Sequence, residues 1–452
     1  MKKNRKVKIK IGPGPDDVVV DEVNFSALSM KERKGIRARG MVASFRPIPA
    51  YSVVGKAKNP NMLRIECPDG RVRDMIDCQA MNGATGLGNP NKNTLRFVLR
   101  QMEKGTPAVF YTIDHPLVAP MLTALWRFIG DSNVKFVFGT SGGFAVTAAV
   151  RIAYQYWNTR HGPQIDGADS GWDTCWLIAA NENHHGFVGH GLSLSSSDAA
   201  RKGFGPLIRQ IAHVPFDDAQ AIERVFKEKG RGNVAAVILE PVQGAAGIFA
   251  PAPGYLKKVE QLCRKYDALL IIDAVKTCFG RTGTKWGYEQ DDIKPDLIVA
   301  GKMAGAGLIP VAFTFGRPEL IDLLQPWTIG HTWVATPHQA MAVISTIKEV
   351  EDRGLVSKAK TLGDLFTKLM DQVSHKHPGI ITKVDGQGLL RAVESIYPSQ
   401  EVVEQLHEEN VHSVAAYRHP KRVVFNPPLT ITAAQVRAVA RAYDKAFTRL
   451  SN

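Results

Sequence analysis

Four apolar residues closed by an acid, Leu269-Leu270-Ile271-Ile272-Asp273, place the strongest constraint on what this chain can fold into. The run has the length and composition of a strand buried on both faces, the form found in parallel sheets covered by helices. A second apolar run, Leu297 to Ala300, delivers Gly301-Lys302 and then the flexible Ala304-Gly305-Ala306-Gly307. Parallel α/β sheets gather their chemistry at strand carboxyl ends. An Asp and a Lys, each just beyond a buried strand, can therefore face one cavity.

One cofactor accounts for the pair. Pyridoxal phosphate (PLP) needs a lysine amine for its Schiff base and a carboxylate that keeps its pyridine nitrogen protonated. The competing reading is an Asp capping a turn and a Lys solvated at a loop edge, and the pair alone does not choose between them. Further strands flank these two. Val134 to Phe138 ends in Gly139-Thr140-Ser141-Gly142-Gly143 and opens a helix expected to run through Tyr156. A small-residue turn at a helix N-terminus offers free N–H groups and the helix dipole to an anion, although every strand–helix unit has such a turn. Cys175 to Ala180 leads to Asn183-His184-His185-Gly186, Val234 to Glu240 to Pro241-Val242-Gln243-Gly244, and Val311 to Phe315 reads as an adjoining strand. Earlier, Met62 to Glu66 and Val72 to Asp77 form an expected hairpin about Asp69-Gly70. From about Glu349 the pattern becomes helix, short strands (Ile380 to Val384, Leu389 to Glu394) and a last helix from Ala433 to Leu450.

IIDAVKTCFGRTGTKWGYE followed by KPDLIVAGK resembles the class III (ornithine and 4-aminobutyrate type) aminotransferases of PLP fold type I, and the resemblance runs from about Pro47 to the C-terminus. It implies an α/β fold: a large domain with a mixed, mostly parallel sheet, and a smaller α+β lobe. The expected division is a basic arm at 1–44, the N-terminal part of the small domain at 45–110, the PLP-binding domain at 111–350 and the C-terminal small domain at 351–452. The resemblance also implies roles. Lys302 carries the Schiff base, Asp273 faces the pyridine nitrogen, and Ser141, Gly142 and Gly143 hold the phosphate. Val275 and Lys276 lie against the cofactor, and His184 takes the place of the aromatic residue that stacks on its ring. Thr332 matches a residue that crosses a homodimer interface to the neighbour's phosphate.

Other positions depart from the family. Ala274 and Lys276 replace the Glu and Gln after the Asp, and Phe144 and Thr147 stand where acids are frequent. Gly244-Ala245-Ala246-Gly247 lacks the Glu that switches a carboxylate-binding Arg. That Arg is Val424 here, and the Arg after the His-Gly pair is Phe187. Bidentate Arg is how such sites grip carboxylates. Its loss argues against 2-oxoglutarate as a substrate, unless Arg418, Lys421 or Arg422 supplies the grip.

The chain is strongly basic, with a net charge of +14 and six Lys or Arg in its first ten residues. Such a charge fits nucleic acid, an acidic surface or a polyanionic ligand. No nucleic-acid-binding motif accompanies it, so a solvated arm is expected, with room elsewhere for an anionic or nucleotide-bearing co-substrate. No run reaches the ~20 apolar residues of a membrane helix. Five scattered cysteines without metal spacing read as buried thiols, and a cytoplasmic setting is expected. Two reactions remain open for an amino substrate: elimination, replacement or carbon–carbon bond formation, to which the missing Arg residues point, and conventional amino transfer to a keto acid or aldehyde. A cofactor-free basic scaffold is the non-enzymatic alternative.

Overall fold

A computed structural model describes residues 51–108, 113–162 and 171–452; the expected basic arm lies outside them. A seven-stranded sheet organises the larger part. Its strands are β1 (Lys135–Gly139), β2 (Trp176–Ala180), β3 (Ile211–Val214), β4 (Val234–Leu239), β5 (Leu269–Asp273), β6 (Leu297–Ala300) and β7 (Ala312–Gly316). Their order is β1-β7-β6-β5-β4-β2-β3. Neighbours from β6 through β3 are parallel. β7 runs antiparallel to both β1 and β6.

Every residue of β4, β5 and β6 is buried, because helices cover both faces of the sheet. Leu269 and Ile271 point towards the helix Gly142–His161, which presents Ala145, Ala149, Ala153 and Trp157. Leu270 and Ile272 point to the other face, against Leu256, Val259 and Cys263 of the helix Tyr255–Tyr266. The small alanines allow the first helix to lie close on the sheet. It continues to His161, one turn past its expected end.

The antiparallel direction of β7 matters for the site. Ala312 pairs with Gly139 and Phe313 with Ala300, so the ends of β1 and β6 flank the start of one strand. That brings the glycine turn after β1 to the same edge as Lys302.

The smaller sheet is antiparallel throughout, in the order Ile381–Gln387, Leu390–Ser395, Arg422–Phe425, Val414–Ala415. The last helix, Ala433–Ser451, opens with a Thr432/Gln435 capping box. Near the start of the described chain, the expected hairpin turns at Gly70 (φ 81°), with Cys67 and Arg71 bonded across it. All five cysteines are free and buried, as expected.

Arg422 is the most heavily bonded side chain of the smaller sheet. Its Nε is 2.9 Å from Glu394, and its Nη1 reaches Asp385 and the carbonyls of Gly247 and Ile248. Its guanidinium also lies 3.6 Å over the Phe249 ring. Arg422→Ala leaves the Gly247 and Ile248 carbonyls without their donor and takes one of two cations from Asp385, which keeps Lys383 at 2.8 Å; the expected cost is about 1–3 kcal/mol. A urea midpoint unchanged from wild type would refute this role.

Candidate active site

The site is built at the end of β5. Asp273 is only 5% exposed. Its Oδ2 is 2.7 Å from His185 Nδ1, and its Oδ1 accepts the Val275 N–H at 3.0 Å. Burial opposes charge on Asp273. The His185 hydrogen bond, the charges of His185 and Lys302 and the Val275 N–H outweigh it, holding the carboxyl below its usual range. The result is a buried anion with an oriented imidazole behind it.

Two residues on, Val275 is wedged between two glycines. A Cβ built on Gly142 would sit 3.2 Å from both Val275 methyls, and one on Gly301 would sit 3.5 Å from the nearer. Val275 thus links the turn after β1 to the turn after β6. In the first, Ser141 caps the helix by accepting the Phe144 N–H at 3.2 Å. The N–H groups of Gly142 and Gly143 have no intramolecular acceptor among the described residues. In the second, Lys302 has φ 42°. A non-glycine residue in this left-handed region stores about 1–3 kcal/mol of strain. The turn is pinned from behind by Thr346, whose hydroxyl lies 3.2 Å from the carbonyls of both Met303 and Ala304.

His184 lies on a third turn, which touches the first: a Cβ on Gly186 would be 3.0 Å from Gly143 Cα. Its ring packs edge-on to Phe187, 4.7 Å between centroids. Burial and then the Lys302 charge push its pKa down to about 4, so the ring is neutral and planar at pH 7. Lys276 lies across bare Gly244, where a Cβ would meet its Cδ at 2.6 Å. Burial and then Lys302 lower its pKa to about 7.

Thr332 is exposed. Its neighbour His331 packs edge-on to Phe144 at 4.6 Å, which holds the Thr332 segment beside the first turn. Buried Gln339 strengthens that tie through its Nε2, which donates to the carbonyls of Gly139, Pro310 and Trp333.

The structure therefore brings Ser141, Gly142, Gly143, His184, Asp273, Val275, Lys276 and Lys302 together at one edge of the sheet, with Thr332 near the glycine turn. Sequence reasoning missed three supports. His185 was indistinguishable from its twin His184. Glu240, which accepts the N–H groups of His184 and Gly244 at 3.1 Å, looked like a strand end. Gln339 had a legible signal, the Thr336-x-x-Gln339 capping box.

Residues 51–447 match the family described as Aminotransferase class-III. The chain belongs to the class III aminotransferases. Among relatives of this class III enzyme is the mitochondrial ornithine aminotransferase of Oryza sativa subsp. japonica, 27% identical over 428 residues, covering 93% of this chain and 86% of the relative. An ornithine aminotransferase structure from Toxoplasma gondii, described with partial PLP occupancy, superposes with TM-score 0.83 at 25% identity over 94% of this chain and 95% of its own. The acetylornithine aminotransferase of Elizabethkingia anophelis shares the fold at TM-score 0.79 and 23% identity, over 93% and 99% of the two chains.

The class III enzyme is PLP-dependent, with the type I fold. Its residues fit that cofactor: a buried carboxylate held anionic suits a pyridinium, and two unbonded N–H groups at a helix start suit a phosphate. Its substrate side is apolar where an Arg was expected. Val424 packs in a cluster with Val242, Ile248, Leu390, Ala392 and Ala416.

Proposed function

We propose that this class III enzyme is an aminotransferase, moving an amino group from a small-molecule amine or amino acid to a keto acid or aldehyde. The carrying observation is the His185–Asp273 couple on β5 joined through Val275 to both the glycine turn and the Lys302 turn. The aminotransferase relatives support amino transfer over the elimination, replacement or carbon–carbon chemistry to which the lost Arg residues pointed.

PLP, when bound, supplies an aldehyde that captures amines and a ring that withdraws electrons from the carbon beside the nitrogen. The chain's residues do the rest. Lys302 Nζ is the amine that holds the cofactor; once a substrate amine displaces it, the same nitrogen takes the substrate's α-proton and returns it. Asp273, steadied by His185, keeps the pyridine nitrogen protonated. Ser141, Gly142 and Gly143 would hold the phosphate, and His184 and Val275 would lie against the ring. Thr332 reaches the phosphate of the neighbouring site in a homodimer.

The substrate positions argue against a dicarboxylate such as 2-oxoglutarate. With Val424 inside an apolar cluster and Arg422 fully bonded, neither position can grip a second carboxylate. The test is transfer of label: a panel of ¹⁵N-labelled amines and amino acids is mixed with keto acids and aldehydes, and products are weighed by mass spectrometry. Label appearing on the acceptor carbon is the expected result. Label released as ammonia, with a leaving group lost from the donor, would overturn amino transfer.

A further inference from the structure

We propose that Lys276 is the residue that grips the substrate's carboxylate, which makes a monocarboxylate the substrate class of this site. The inference rests on the amino-transfer site proposed above, and it follows from asking which cation in that site is free to act.

Arg281 is fully buried and donates through Nη1 to the carbonyls of Leu389 and Pro427; its Nη2, buried and unbonded, lies against Gly86. Arg422 is held by Glu394, Asp385 and two carbonyls. Arg418 donates to the Asn183 carbonyl at 2.9 Å and lies 3.6 Å from Glu182. Lys421 is exposed. Lys302 is committed to the cofactor. Among the described residues, Lys276 has no hydrogen bond and no ion pair.

Its position is built. The stem lies on Gly244, where any side chain would collide with it, and the ammonium would be 3.3 Å from a Cβ there. The carboxylate that acts on its charge, Glu240, makes no hydrogen bond or ion pair with it among the described residues; its two oxygens accept the N–H groups of His184 and Gly244 instead. A partly buried amine without a partner is costly, and an incoming carboxylate removes that cost.

The charge state agrees. Burial first, then Lys302 and Arg281, disfavour the ammonium, while Glu240 favours it; the balance is a pKa of about 7. A bound carboxylate raises that pKa, so binding takes up a proton when the pH is above about 7. Affinity is then greatest at and below pH 7 and falls as pH rises, until the raised pKa of the complex is reached.

The test uses two unreactive probes of equal shape, valerate and pentanamide, titrated into the PLP-loaded enzyme by ligand-observed NMR. Lys276→Met should weaken valerate about ten- to a hundredfold, the usual worth of a charged hydrogen bond, and leave pentanamide within about twofold. Wild-type affinity for valerate should fall as pH is raised through the Lys276 pKa. Lys276→Arg keeps the charge without the titration, so it should retain valerate binding and lose this pH dependence. It also guards against a Met variant that folds poorly. Equal losses for both probes, or a variant whose only defect is weaker PLP binding on titration of the apoprotein, would overturn the assignment. The readout is binding alone. Absence of ¹⁵N transfer alongside intact valerate discrimination would therefore sink the amino-transfer reading and leave Lys276 as the carboxylate grip.

Discussion

Lys302→Ala should yield a folded protein that PLP can enter but no longer label. Borohydride treatment of the wild type should fix the cofactor to the peptide carrying Lys302, and the same treatment of the variant should fix nothing. Turnover should fall by more than about four orders of magnitude, since one nitrogen serves as both attachment point and proton carrier. The fold should survive. Among the described residues Lys302 makes no hydrogen bond or ion pair, so its removal strands no hydrogen-bonding group. Borohydride-fixed PLP at another lysine, Lys276 included, would refute the assignment, as would activity within tenfold of wild type.

Asp273→Asn is the second large effect. The amide keeps the size of the carboxylate but not its charge, so the pyridine nitrogen loses its counter-ion and His185 Nδ1 its anionic partner. Turnover should drop by about two to three orders of magnitude, with PLP still fixed on Lys302 by borohydride. Stability supplies an independent readout. The folded-state pKa of Asp273 lies below its unfolded value, so its ionisation contributes stability that is fully present above about pH 4. That contribution disappears as pH falls through the lower folded value. The stability difference between wild type and Asp273→Asn should therefore shrink on acidification below pH 4. A difference that grows there would mean the carboxyl is protonated in the native state.

The sheet was legible because β4, β5 and β6 are buried on both faces and so read as unbroken apolar runs. β3 was not, because Ile211–Val214 is four residues long and interrupted by His213. Strand direction was also hidden. Nothing in AFTFG records that β7 runs against its neighbours, yet that reversal brings Ser141 and Lys302 to one edge. The residues that the resemblance assigns to the cofactor could be named because each lies at the end of a run with its own signature. Their supports could not. His185 and Glu240 act through partners 88 and 56 residues away in sequence, and no local pattern distinguishes a buried acceptor of two N–H groups from an ordinary strand end. The lost Arg positions were visible as substitutions. That Val424 joins an apolar cluster, instead of leaving a gap for another cation, needed the packing.

Val275 carries a consequence for how this pocket can change. Its two methyl groups lie between Gly142 and Gly301, so one side chain spans the clearance between the turn after β1 and the Lys302 turn. A Cβ on Gly142 would press on both methyls at 3.2 Å, whereas one on Gly301 would meet Val275 at an ordinary 3.5 Å. The clearance is therefore tight on the Gly142 side, and trimming Val275 widens it. Variation in what the enzyme accepts should therefore accumulate around Val424, whose neighbours Val242, Ile248, Leu390 and Ala392 are apolar side chains that can exchange size with it, while the spacing set by Val275 stays the same.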